Sequence, residues 1–202
     1  MPLNKQQIFP EYVTPEQVND LPLTYYDGKI VLIHEESKVQ KAINELMEHP
    51  VMGFDTESRP AFTKGESYPV SLIQLAIPDK VFLFRINQIG FTQPLVDIMA
   101  NGDIIKVGVG LRDDILGLQR LHDFKPAGFK ELHDFVSELG VRNTGLRKLA
   151  AILLKIRISK GQQTSNWENP VLSQNQMRYA ATDAWVCLEM YNFLKGKGFV
   201  YD

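Results

Sequence analysis

The sequence predicts an α/β fold, a three-layer sandwich in which a central mixed sheet is flanked by helices. Two observations lead there. Short β-rich runs alternate with helical patterns along most of the chain, the order that builds a sheet covered by helices. The run VSLIQLAIPDKVFLFRI instead sets two β-rich segments around Pro78, Asp79 and Lys80. That is a hairpin, so part of the sheet is antiparallel. With 202 residues, 44% hydrophobic and 23% charged, the chain has the length and balance of one soluble globular domain.

Taken in order, residues 1–28 are rich in proline and polar side chains and are expected to form an arm packed on a single domain spanning 29–202. Thr14-Pro15-Glu16 marks a helix start, a cap followed by proline at the first helical position. KIVLIHE reads as a strand. Ser37 and Gln40 form a capping box that opens a helix to about Glu48. Pro50 separates that helix from a strand whose Val51, Met52, Gly53 and Phe54 are apolar on both faces, an interior pattern. After the hairpin come a helix from about Gln93 to Ala100, the strand DIIKVGVG, and a helix from about Arg112 to Asp123. GFKELHDFVSELG begins strand-like and turns helical, and GLRKLAAILLKI is an apolar-periodic helix. A second capping box, Ser173 with Gln176, opens a long helix ending near Gly196.

A net charge of −2 supplies no overall basic field, so binding to nucleic acid needs a local positive patch. The single cysteine, Cys187, excludes an intrachain disulfide and a Cys-rich zinc site, and its apolar helical surroundings make it a small buried hydrophobe. No apolar stretch approaches membrane-spanning length and the N-terminal residues lack a signal-peptide core. The expectation is a reducing, cytoplasmic setting.

Three acidic stretches carry the chemistry. In PVMGFDTES, Asp55 and Glu57 are two residues apart at the end of a strand and therefore share a face. Such a pair is either a strand running out into solvent or half of a divalent-metal site, because burying it unpaired costs several kcal/mol. In KVGVGLRDDILGL a strand and glycine turn lead into a helix bearing Asp113 and Asp114. Gly108-x-Gly110 is only a weak dinucleotide fingerprint, since Asp113 holds the third glycine position. The core face of that helix is marked by Leu111, Ile115, Leu118 and Leu121. Asp114 lies on it, and Asp113 points away as an ordinary helix-start acid. In MRYAATDAWVCLEMY, Tyr179 and Asp183 are spaced i,i+4 on a flank between the apolar stripe and the polar face. An aspartate there needs a partner, either the tyrosine alone or a metal ion.

Together these stretches resemble the DEDDy 3′–5′ exonucleases of the DnaQ-like, ribonuclease H-like fold, most of all the Werner-type exonuclease domain. The resemblance covers about residues 30–195 through GFDTE, VSLIQLA with VFLF, KVGVGLRDD, and SNWENPVLSQNQMRYAATDA. It implies that Asp55, Glu57, Asp114 and Asp183 are metal-binding acids and that Tyr179 orients the attacking water. It implies two divalent cations, Mg²⁺ with Mn²⁺ as a substitute, which offset a cluster charge of about −4. In that mechanism one ion activates water and the other stabilises the leaving 3′ oxygen, releasing nucleoside monophosphates. The family pattern has an aromatic residue after the first glutamate, where this chain has Ser58.

A separate feature supports a nucleic-acid partner. Between Leu139 and Trp167 the chain carries Arg142, Arg147, Lys148, Lys155, Arg157 and Lys160 and no acidic residue, the signature of a phosphate-tracking surface or of a solvated face balanced elsewhere. The residues expected at the nucleic acid are Thr56, Arg147, Lys148, Lys160 and Trp167. The expected substrate is single-stranded or 3′-overhanging DNA, with RNA trimming, a silent binding module and a small-phosphoester hydrolase as alternatives.

Overall fold

The computed structural model describes residues 8–200. Its strands are β1 (Lys29–Ile33), β2 (Val51–Ser58), β3 (Val70–Ile77), β4 (Lys80–Phe84), β5 (Ile105–Gly108) and β6 (Phe129–Glu131). They form one sheet in the order β1-β4-β3-β2-β5-β6. β2, β3 and β4 pair antiparallel, while β1 on β4, β5 on β2 and β6 on β5 are parallel. The hairpin turns through Pro78 and Asp79, with Ile77 opposite Lys80. That tight turn makes β3 and β4 antiparallel, and the connection through 59–69 does the same for β2 and β3; parallel neighbours instead need a crossover.

The helices are α1 (Pro15–Asn19), α2 (Val39–Leu46), α3 (Ile86–Ile89), α4 (Gln93–Ala100), α5 (Leu111–Gln119), α6 (Leu132–Glu138), α7 (Leu146–Leu154) and α8 (Gln174–Gly196). They cover both faces. Met52, Phe54, Ile73, Leu75, Phe82 and Phe84 pack with the apolar sides of α2, α4 and α5. The alternate residues Leu72, Ala76, Val81 and Leu83 lie under Ala180, Ala181, Ala184 and Leu188 of α8. This alternation along β3 and β4 explains why their sequences are mostly apolar, with Ser71 and Gln74 the buried polar exceptions in β3: both faces are buried.

Two expected boundaries shift. Ser37 and Gln40 do not form a capping box. A 3₁₀ turn occupies Glu36–Lys38, and α2 begins without a side-chain cap. Its start is set by the apolar face Val39, Ala42, Ile43 and Leu46, and Gln40 donates instead to Asn44 at 2.8 Å. α5 stops at Gln119 rather than near Asp123, because the buried face ends with Leu118 and Leu121 is 37% exposed. The Ser173–Gln176 box is formed at the start of α8, and Thr14 makes a second box with Gln17 at the start of α1.

The segment before β1 is tied to the sheet's α8 side. Arg157 N–H donates to Pro22 O at 2.9 Å, and Thr24 N–H donates to Arg157 O at 2.8 Å. Tyr26 N–H donates to Thr182 Oγ1 at 2.9 Å. Cys187 is buried and unpaired by disulfide. Among the described residues, no helix is long and apolar enough to cross a membrane.

Candidate active site

β2 runs on through both of its carboxylates. Gly53, Asp55 and Glu57 alternate onto the face covered by α8. A Cβ at Gly53 would sit 1.9 Å from the carbonyl oxygen of Ala184, so only glycine permits this approach of helix to strand. The closeness has a consequence one residue away. Asp183 is brought beside the strand acids, and one carboxylate oxygen from each of Asp55, Glu57 and Asp183 lies within 4.8 Å of the others. Asp183 is buried and the other two are partly buried.

Asp114 lies outside that close trio and approaches from the opposite side. It lies in the first turn of α5, and Thr56, whose side chain leaves β2 on the face away from Asp55, donates its hydroxyl to Asp114 Oδ1. Thr56, expected at the nucleic acid, therefore holds a site carboxylate. Asp113 is exposed. The residue that sequence reasoning missed is Glu131, at the end of β6. Its Oε2 accepts from the backbone N–H groups of Gly110 (2.7 Å) and Leu111 (3.0 Å), and its Oε1 accepts from His133 N–H at 3.1 Å. One carboxylate thus caps two helix starts, α5 and α6. Gly110 takes φ +77° to make the α5 turn, a left-handed conformation that favours glycine. The only signal in the sequence was an acid directly before the helical run LHDFVSE.

The cluster is electrostatically unfavourable as it stands. Burial, then the charges of Asp183, Asp114 and Glu57, pushes the Asp55 carboxyl well above its ordinary range. Burial and the charges of Asp183 and Asp114 raise Glu57 to about 9. Burial raises Asp183 to about 7 against a lowering hydrogen bond from the Tyr179 hydroxyl. Asp114 rises to about 6, burial outweighing the Thr56 hydrogen bond. Tyr179 is also pushed up, first by burial and then by Asp183 and Glu57. No ion pair among the described residues involves these acids. The buried cations are engaged elsewhere: Lys106 donates to the carbonyls of Ile98, Asn101 and Ile104, and Arg85 to that of Asn169.

Two hollows meet at this cluster, sharing Ser159, Tyr179 and Asp183 in their walls. One, of about 260 Å³, is lined by Leu23, Tyr25, Gln162, Asn175 and Arg178. The other, of about 440 Å³, is lined by Arg142, Arg147, Lys148 and Lys160. Much of the basic run therefore borders the acids. Lys148 and Lys160 are exposed, whereas Arg147 is half-buried and donates to Asn19 at 3.4 Å. Trp167 corrects an expectation: it is fully buried, its ring 6.1 Å from that of Tyr179. An indole without exposed surface supports the tyrosine from behind and cannot stack on a base. If the basic wall tracks phosphates, replacing both Lys148 and Lys160 by alanine reduces the slope of log affinity against log salt by roughly 1.4–1.8. Fluorescence titration of metal-free protein with a labelled oligonucleotide measures it, and an unaltered slope removes both lysines from the contact.

The sheet order, its helical layers and a carboxylate cluster between β2, α5 and α8 define an α/β domain of the ribonuclease H-like class. A family model described as 3′–5′ exonuclease matches residues 30–198, and the chain belongs to that family. It is 35% identical over 193 residues to a bifunctional 3′–5′ exonuclease/ATP-dependent helicase, WRN, of Mus musculus, an alignment covering 89% of this chain and 14% of that protein. The chain spans only 14–30% of the length of the first curated relatives it matches. Among solved structures, the Nibbler EXO domain of Aedes aegypti superposes with a TM-score of 0.76 at 22% identity, covering 86% of this chain and 92% of that one. Ribonuclease D of Trypanosoma brucei in complex with RNA U12 gives 0.72 at 18% identity, covering 90% and 65%. These two likenesses concern the fold.

Proposed function

We propose that the chain removes nucleoside monophosphates from the 3′ end of single-stranded or 3′-overhanging DNA by hydrolysing the last phosphodiester. The observation that carries this reading is the acidic cluster meeting a cleft whose other wall is basic. The residues suit divalent cations. Three carboxylate oxygens within 4.8 Å of one another form an all-oxygen donor set, the kind hard ions such as Mg²⁺ or Mn²⁺ take. Asp55, Glu57, Asp183 and Asp114 would hold two such ions, which when bound supply Lewis-acid polarisation of the phosphate and an activated water.

The chain's own groups account for the rest. Lys148 and Lys160 attract the strand's phosphates. Tyr179 donates its hydroxyl proton to Asp183, which leaves its oxygen free to accept from a water and aim it at the phosphorus. Water adds there, the bond from phosphorus to the 3′ oxygen breaks, and the shortened strand keeps a 3′ hydroxyl. Thr56 keeps Asp114 turned toward β2. Tyr179→Phe leaves the acids in place and is expected to lower turnover by ~10²–10⁴; steady-state rates at saturating Mg²⁺ check it.

RNA is the second reading, favoured by the shared fold with a ribonuclease D seen with RNA. Matched end-labelled DNA and RNA ladders, incubated with Mg²⁺, Mn²⁺ or EDTA, decide. The expected result is stepwise shortening from the 3′ end, faster on DNA, and none in EDTA. Faster loss of RNA reverses the substrate. Cleavage of neither strand type, or turnover of mononucleotide esters regardless of strand length, rejects the exonuclease.

A further inference from the structure

Gln74 in β3 has no exposed surface, and neither its carboxamide oxygen nor its nitrogen has a hydrogen-bond partner. Native cores hold few amides left unpaired at both ends, because the desolvation of each polar atom goes uncompensated. The position is specific. Gln74 stands directly opposite Asp55 in the antiparallel register of β2 and β3, so both side chains leave the sheet on one face. Its neighbours on that face are Leu72 and Ala76 along β3 and Leu83 across on β4, all buried with Ala180, Ala181 and Ala184 of α8. Toward β2 it meets the carboxylates. Opposed Cβ atoms in such a ladder are about 4.5–5.5 Å apart, and three side-chain torsions let the carboxamide reach Asp55 by a change of rotamer.

We infer that Gln74 is a positioning residue of the site. When the cluster holds a divalent cation, the Gln74 N–H group donates to the Asp55 carboxylate and fixes which oxygen faces the ion. Carboxylates that bind metals are generally held from outside by such a hydrogen bond, and losing it costs about 10–100-fold in metal affinity or activity. The inference rests on reading the cluster as a cation site. It also assigns the buried amide opposite effects in the two states: an unpaired burden without metal, a working contact with it.

The test uses the full chain with Gln74→Leu, close in volume and without polar atoms, and Gln74→Met as a second variant should the first not fold. Mn²⁺ alone is titrated by calorimetry, and thermal midpoints are recorded in EDTA and in Mn²⁺. The expected result is an EDTA midpoint equal to or above that of the wild type, with Mn²⁺ affinity lowered about tenfold or more and a smaller metal-induced rise. Unchanged Mn²⁺ affinity overturns the inference. So does a lowered EDTA midpoint with the full metal-induced rise, the mark of a purely structural amide. A wild-type chain that binds no Mn²⁺ rejects the cation site itself, and is thereby told apart from failure of Gln74 alone.

Discussion

Asp55→Ala is expected to reduce nucleotide release to background while the chain stays folded. Asp55 sits where β2, α8 and α5 converge, and its charge raises the pKa of Tyr179 as those of Asp183, Asp114 and Glu57 raise its own. No other carboxylate can replace it from that strand position. The loss should exceed the roughly 10²–10³ that deleting one stabilising donor costs an active site. In EDTA the variant should be at least as stable as wild type at neutral pH, because one source of like-charge repulsion is gone. The pH dependence follows from the direction of the shifts. These carboxyls bind protons more tightly when folded, Glu57 to about 9, Asp183 to about 7 and Asp114 to about 6. Their contribution is therefore fully present below the ordinary carboxylate range and is lost progressively as pH rises from about 4 through 6 to 9. Metal-free wild type should lose thermal stability across that window, and Asp55→Ala should lose less. Thermal melts in EDTA from pH 5 to 9, alongside rates in Mg²⁺, measure both. Cleavage near the wild-type rate would falsify the site.

Asp114→Asn should likewise remove nearly all turnover and weaken metal binding, while its neighbour Asp113→Asn leaves turnover largely intact. The two acids differ by about 100° around α5. Asp114 is half-buried and accepts from Thr56; Asp113 is exposed in the first turn, where an acid is worth at most ~1 kcal/mol against the helix dipole. Asparagine at 114 preserves size and can still accept from Thr56, so the comparison isolates charge. Calorimetric Mn²⁺ titration and single-turnover rates for the pair provide the test. If Asp113→Asn is the inactive variant, the site is displaced by one residue.

Strand and helix order was legible because burial on both faces leaves β3 and β4 mostly apolar, and because Pro78-Asp79 permits only a tight turn. The acids were legible too, since Asp55 and Glu57 share a face by strand alternation and Tyr179 and Asp183 by helical spacing. Local rules of that kind act over two to four residues and need no partner. They failed where a distant element decided the outcome. Ser37 looked like a cap, yet the apolar face of α2 chose Val39 as the start. Trp167 was expected at the nucleic acid, yet it is fully buried beside Tyr179.

The sequence by itself determined which carboxylates face the same way on their own strand or helix, because side-chain direction follows backbone period. Only the tertiary structure decided that they meet. That depends on Gly53 letting the backbone of α8 approach β2, on Glu131 from β6 capping the start of α5, on Thr56 turning to Asp114, and on Gln74 standing across from Asp55. Each of these joins residues 21 to 131 positions apart or lies across a strand pair, and no local period encodes such a distance. Close packing and the need to pair buried polar groups set it instead.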